Sequence, residues 1–266
     1  MRMSPEPSET PMVRRARDYH LFDPRGRRHL DLWLNGGRAL LGHRPPGLGT
    51  TLKNQLSRGL LAEAPSIHDR RLEKSLAGLV PGSWSLRVYR SFDRALGAVG
   101  VFLGRPLEEK DIREPFFGPA PEEAVYFRPL AEADYSGFSV LLPILPFPGA
   151  FAPQPVFFAC SPDREKNLLP GDPVSPFLAA GLHRASLELQ KRGSSPDIWN
   201  DWSLPGWKRF GPYCFPEEEA DYPELRSRLL AAGVIISPDP KRPSILPGIW
   251  SPGEKALVER LCSAKS

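Results

Sequence analysis

Tyr19-His20-Leu21-Phe22-Asp23-Pro24-Arg25-Gly26-Arg27-Arg28-His29-Leu30-Asp31-Leu32-Trp33-Leu34, followed by Leu41-Gly42-His43-Arg44-Pro45-Pro46 and then Gln55-Leu56, is the stretch whose reading decides the fold. Asp23-Pro24-Arg25-Gly26 places Asp first, Pro second and Gly last, the composition of a type I turn. Beyond it, Leu30, Leu32 and Leu34 alternate at period two, as a half-buried strand requires. A short extended segment ending at Phe22 and a strand over 29–34 therefore make a hairpin, with His20 and His29 flanking it in partly exposed positions. Leu48, Leu52, Leu56 and Leu60 then repeat every four residues and predict an amphipathic helix.

Working outward, Ser66-x-x-Asp69 supplies a capping pair for a second helix carrying Leu72, Leu76 and Leu79, which Pro81-Gly82 closes. A strand over 84–90 and a helix over 93–103 follow. Residues 104–155 are proline-rich, with candidate strands over 124–128 and 138–145, the second short or at an edge because Pro143 cannot donate a ladder hydrogen bond. A third apolar strand is expected over 156–160. Ser175-Pro176 opens a helix that runs to Arg192, with Gly193 as its stop. Strands are predicted over 207–213, 234–236 and 244–246, and helices after Asp221-x-x-Glu224 and Ser251-Pro252-x-Glu254. That order suits a small α+β lobe.

The chain has 266 residues, 41% hydrophobic and 25% charged, the composition of a folded globular protein. Its net charge of +4 is diffuse, and beyond Arg14, Arg15 and Arg17 no basic stripe marks a nucleic-acid surface. No apolar run approaches the roughly 20 residues of a membrane helix, and the polar start lacks the apolar core of a secretory signal. Cys160, Cys214 and Cys262 are odd in number and widely spaced, which argues for free thiols in the cytoplasm rather than disulfides or zinc. Residues 1–17 read as a disordered tail, and no spacing among His43, His68 and His183 suggests a metal site.

The series Tyr19-x-x-x-Asp23-x-x-Gly26-Arg27-x-x-Leu30-Asp31-Leu32, then Leu41-Gly42-His43-x-x-Pro46, resembles the opening of class III pyridoxal-phosphate aminotransferases. Leu79-Val80-Pro81-Gly82, the segment 88–95, Gly171-Asp172-Pro173 with the helix behind it, Gly233-Val234 and Leu246-Pro247 resemble later family motifs in the family's order. The resemblance implies a reduced α/β architecture of the fold type I aminotransferase class, shortened and degenerate, with a small α+β lobe formed from both termini. Its expected parts are a small-lobe segment at 18–60, a shortened large lobe at 61–170 and a C-terminal α+β lobe at 171–266. It also implies a homodimer, and places His43 in a structural turn after the hairpin.

Pyridoxal phosphate chemistry needs a Schiff-base lysine, an acid beside the pyridinium nitrogen and a phosphate cradle. Where the family carries Ser-Gly-x-Glu-Ala at a helix N-terminus, this chain reads Ser91-Phe92-Asp93-Arg94-Ala95. Ser91, Asp93 and Arg94 are thus the candidate cofactor contacts, although Phe92 replaces the glycine and Asp93 adds negative charge. The Asp-Glu-Val motif is absent; Asp163 is the nearest substitute acid, and Lys166 the candidate lysine. Aligning Lys166 with the family's lysine uses Gly171, which the Gly-Asp-Pro match also needs, and one residue cannot hold both places. Arg242 is the candidate substrate-carboxylate contact, displaced from the family's position and held by neighbouring prolines.

Three readings follow. The first is an aminotransferase-like scaffold, binding or regulatory protein without pyridoxal phosphate or its catalysis. The second is an active aminotransferase using Lys166, Asp163, Ser91 and Arg94 around that cofactor. The third is a non-catalytic subunit of a full-length aminotransferase. The first predicts an exposed Lys166 and a site filled by Phe92, Phe157 or Phe158; the second predicts Lys166 in a pocket beside Ser91.

Overall fold

The computed structural model describes residues 11–60, 62–117, 124–149, 152–160, 165–166, 168–193, 204, 206–217 and 221–263. The chain forms two compact units, one of Met1–Pro45 with Ser194–Ser266 and one of Pro46–Gly193.

In the first unit, strands β1 (Arg15–Arg17), β2 (His20–Phe22) and β3 (Arg28–Asp31) form an antiparallel meander, and β10 (Val234–Ile235) joins β3 in parallel. The hairpin turn closes as its composition predicts: the Gly26 N–H donates to the Asp23 carbonyl at 3.0 Å, and the Arg27 N–H to the Asp23 carboxylate at 2.9 Å. Arg15–Arg17 corrects the expectation of a disordered tail reaching residue 17. Its backbone pairs with β2, and the Arg15 guanidinium lies 4.3 Å from the centre of the Phe22 ring.

The strand over 29–34 ends early, at Asp31. The Asp31 carboxylate accepts the Trp33 and Leu34 N–H groups, both at 2.9 Å, and draws the chain out of the ladder. Leu34, Asn35, Gly36 and Gly37 then all take positive φ, from 47° to 101°. His29 is buried rather than partly exposed, at 5% accessibility.

The expected strand over 207–213 is a hairpin of β8 (Trp207–Phe210) and β9 (Tyr213–Pro216), because Gly211 at φ 63° and Pro212 turn the chain. β11 (Ser244–Ile245) pairs with β9, and helices α5 (Tyr222–Ala231) and α6 (Pro252–Ser263) complete the unit. α6 starts with the predicted cap: Glu254 accepts the Ser251 N–H at 2.8 Å, and the Ser251 hydroxyl accepts the Glu254 N–H at 3.3 Å.

In the second unit, helices α1 (Leu48–Ser57) and α2 (Ile67–Ala77) both pack on α4 (Pro176–Gly193). α2 begins with the complete Ser66/Asp69 capping box. In α1 the buried face is Leu48 and Gln55, with Thr51 and Leu52 half-buried, while Leu56 is 49% exposed. A spacing of four overshoots the helical repeat of 3.6, so leucines at every fourth residue drift off the packed face.

A four-stranded sheet runs in the order β4 (Ser85–Tyr89), β7 (Gln154–Phe158), β6 (Val140–Pro143), β5 (Ala124–Phe127), parallel only between β5 and β6. β6 is short, as its proline requires, yet internal: Pro143 is its last residue, and the next N–H, that of Ile144, donates to Phe127 at 3.0 Å. Every residue of β5, β6 and β7 is buried, so both faces of the sheet are covered. Tyr89, Tyr126, Leu142, Val156 and Phe158 form a core with Ala95 and Val99 of α3 (Phe92–Leu103).

Candidate functional site

The β4–α3 turn brings the cradle candidates together. β4 ends at Tyr89, and Ser91 caps α3, its hydroxyl accepting the Arg94 N–H at 3.2 Å. Asp93 is exposed in the first turn of the helix, where a carboxylate favours the helix dipole. Phe92 is half-buried and packs against the core of Tyr89, Ala95 and Phe158, so the position where a glycine would admit a ligand to the backbone carries a packed ring.

One residue outside the sequence-derived set completes the turn. The Asp172 carboxylate accepts the Arg90 N–H at 3.1 Å through one oxygen and pairs with Arg94 Nε at 3.3 Å through the other. It is largely withdrawn from solvent, with 15% of its side-chain surface accessible. The segment before it is laced to β4: Glu165 pairs with Arg87 at 3.3 Å, the Tyr89 hydroxyl donates to the Leu169 carbonyl at 3.0 Å, and the Asp172 N–H donates to Val88 at 2.9 Å. Burial pushes the Tyr89 phenol up, which keeps it a donor. Gly171 is required for this approach, because a Cβ there would stand 2.8 Å from the Val88 carbonyl oxygen. The sequence held a signal for Asp172 in Gly171-Asp172-Pro173, one of the stretches that carry the resemblance.

Lys166 is exposed. Asp163 lies outside the described residues. Arg242 belongs to the first unit, where it is half-buried and its N–H donates to the Asp239 carbonyl at 3.0 Å. A shallow cavity in the second unit, lined by residues including Leu79, Phe127, Leu130 and Leu189, has none of the candidates among its described lining residues.

His43 and Asp31 form a separate, partly buried pair in the first unit, with His43 Nε2 at 2.9 Å from the Asp31 carboxylate that also holds the Trp33 and Leu34 amides. The His43 N–H donates to Asp18 at 2.7 Å, and Gly42, at φ 84°, allows that contact. This is a structural turn: the carboxylate is fully used by its own loop. Among the described residues no group of three or more His, Cys, Asp or Glu is placed to hold a metal ion. Nor is any helix among them long and apolar enough to cross a membrane.

The described residues do not fit pyridoxal phosphate. A dianion at the α3 N-terminus would meet the Asp172 carboxylate already on the Arg90 N–H and Arg94, and the candidate lysine is at the surface.

No family model matches the chain. It is 29% identical over 264 residues to an uncharacterized protein of Borreliella burgdorferi, covering 96% of this chain and 91% of that one. An uncharacterized protein of Treponema pallidum is 28% identical, with 88% of each chain covered. Among solved structures, an omega-transaminase of Sphaerobacter thermophilus superposes at a TM-score of 0.65 with 16% identity, covering 97% of this chain and 91% of that one. An ornithine aminotransferase of Toxoplasma gondii, which holds pyridoxal phosphate at partial occupancy in its active site, superposes at 0.63 with 12% identity, covering 97% and 90%. The chain therefore has a class III aminotransferase-like α/β fold in shortened form.

Proposed function

We propose that this chain is a scaffold, binding or regulatory protein built on the aminotransferase fold, without pyridoxal phosphate catalysis. The observation that carries the reading is the exposure of Lys166. A Schiff-base lysine must be stripped of water to act as a nucleophile, and a solvent-facing side chain in the segment before Asp172 is not. The packed Phe92 supports the same conclusion, since its ring occupies the position where a glycine would let a ligand reach the backbone. The fold's resemblance adds a homodimer as the expected assembly, in the cytoplasm, with its surface rather than its former site as the working part.

Equilibrium dialysis of the purified protein against pyridoxal phosphate tests this reading. The expected result is no retention beyond that of a lysine-matched control protein; retention of one cofactor per chain contradicts it.

A further inference from the structure

We infer that Asp172 is a built-in anion that takes the place of the cofactor phosphate at the β4–α3 turn, resting on the reading just given that the site has no cofactor. Three features carry it. The carboxylate engages the Arg90 backbone N–H at the end of β4 and a guanidinium from the first turn of α3, and backbone amides and arginines are donors that also hold phosphates. Its two oxygens divide the donors, one on the Arg90 N–H and one on Arg94 Nε, so both are committed. And the carboxylate is delivered by a braced segment, not a loose side chain: Leu169, Gly171 and Asp172 are all held against β4, and Pro173 stiffens the exit.

The physical consequence is a closed anion site. An incoming phosphate would have to displace a tethered carboxylate whose effective concentration at the turn is set by the chain, and would meet its charge while doing so. The same contacts join β4, the start of α3 and the approach to α4 within one unit. The former cradle thereby becomes a structural clasp.

The test uses inorganic phosphate as the probe, at matched ionic strength, read by the Arg90 amide resonance of the full-length 15N-labelled protein. Wild type is expected to show no saturable shift. Asp172→Ala is expected to show one, with an apparent dissociation constant about tenfold or more below any binding by wild type, and adding Arg94→Gln is expected to abolish it. A shift in wild type equal to that of the variant, or no saturable shift in Asp172→Ala, overturns the inference. Asp172→Asn, which keeps the side chain's size, serves if the alanine variant does not fold. Its melting temperature is expected to rise with phosphate while that of wild type does not, and a flat response refutes the inference. None of these outcomes depends on Lys166, whereas cofactor retention by wild type would sink the non-catalytic reading alone.

Discussion

Replacing Asp31 with alanine is expected to be among the most damaging single changes in the first unit. Its carboxylate, 3% accessible as a residue, accepts from the Trp33 N–H, the Leu34 N–H and His43 Nε2, each at 2.9 Å. Alanine leaves two backbone donors and one ring nitrogen without that acceptor, and a buried polar group deprived of its partner costs about 1–3 kcal/mol. Because the three share one side chain the costs overlap, and a total of about 3–5 kcal/mol is expected. Leu34 raises the stake, since its φ of 47° is an unfavourable conformation for a bulky residue, and the Asp31 contact helps to hold it. Asp31→Asn keeps an oxygen for the two amides, and the ring can present a lone pair to the new NH2 group, so about 1 kcal/mol is expected from the lost charge assistance. His43→Ala leaves both amide bonds intact and falls between the two. Urea unfolding followed by tryptophan fluorescence and far-UV circular dichroism measures all three, at unchanged denaturant slope. The reasoning is refuted if Asp31→Ala costs no more than His43→Ala, or if Asp31→Asn is as damaging as alanine.

The Arg128–Glu114 pair is buried at 2% and 3% side-chain accessibility, with Arg128 Nε on Glu114 at 2.8 Å. Arg128→Met alone is expected to cost about 3–5 kcal/mol by stranding a buried carboxylate, and adding Glu114→Leu to recover most of that loss; urea unfolding of the single and double variants decides it. His68 is 4% accessible, and neither ring nitrogen has a hydrogen-bond partner among the described residues. Burial, then the positive charges of Arg71 and Arg58, hold its pKa below the ordinary 6.5 against the opposing Asp69. The folded state therefore takes up this proton less readily than the unfolded one. The contribution to stability is fully present above 6.5 and is lost as the pH falls below it toward the folded value. Melting temperature should decline across that window, and His68→Leu should reduce the slope; an unchanged slope would contradict the assignment.

The features that the sequence disclosed are those written in local chemistry. The Asp23 turn, the Ser66/Asp69 box and the Ser251/Glu254 cap each lie within four residues, and the structure contains all of them. What escaped depends on partners far along the chain or on small departures from ideal periods. Arg15–Arg17 becomes a strand only because β2 offers it an edge, and no side-chain pattern in three residues announces that. The β8–β9 hairpin hid because Trp207 to Tyr213 reads as one strand until Gly211-Pro212 is taken as a turn. α1 ends at Ser57, short of Leu60, and its leucines lie on a spacing of four, so Gln55, not Leu56, faces the core.

The candidate site shows the same division. Ser91 and Arg94 were legible because the cradle is a short motif, whereas Asp172 meets Arg94 across 78 residues and was visible only as part of Gly171-Asp172-Pro173. The exposure of Lys166 is likewise a tertiary fact, since nothing within a few residues of a lysine decides whether the chain buries it.

Pyridoxal phosphate titration watched by visible absorbance, followed by borohydride reduction and peptide mapping, tests the non-catalytic reading most directly. The expected result is no saturable visible band, with pyridoxyl label spread over exposed lysines according to their accessibility. A saturable band with one label per chain, fixed on Lys166, would contradict it.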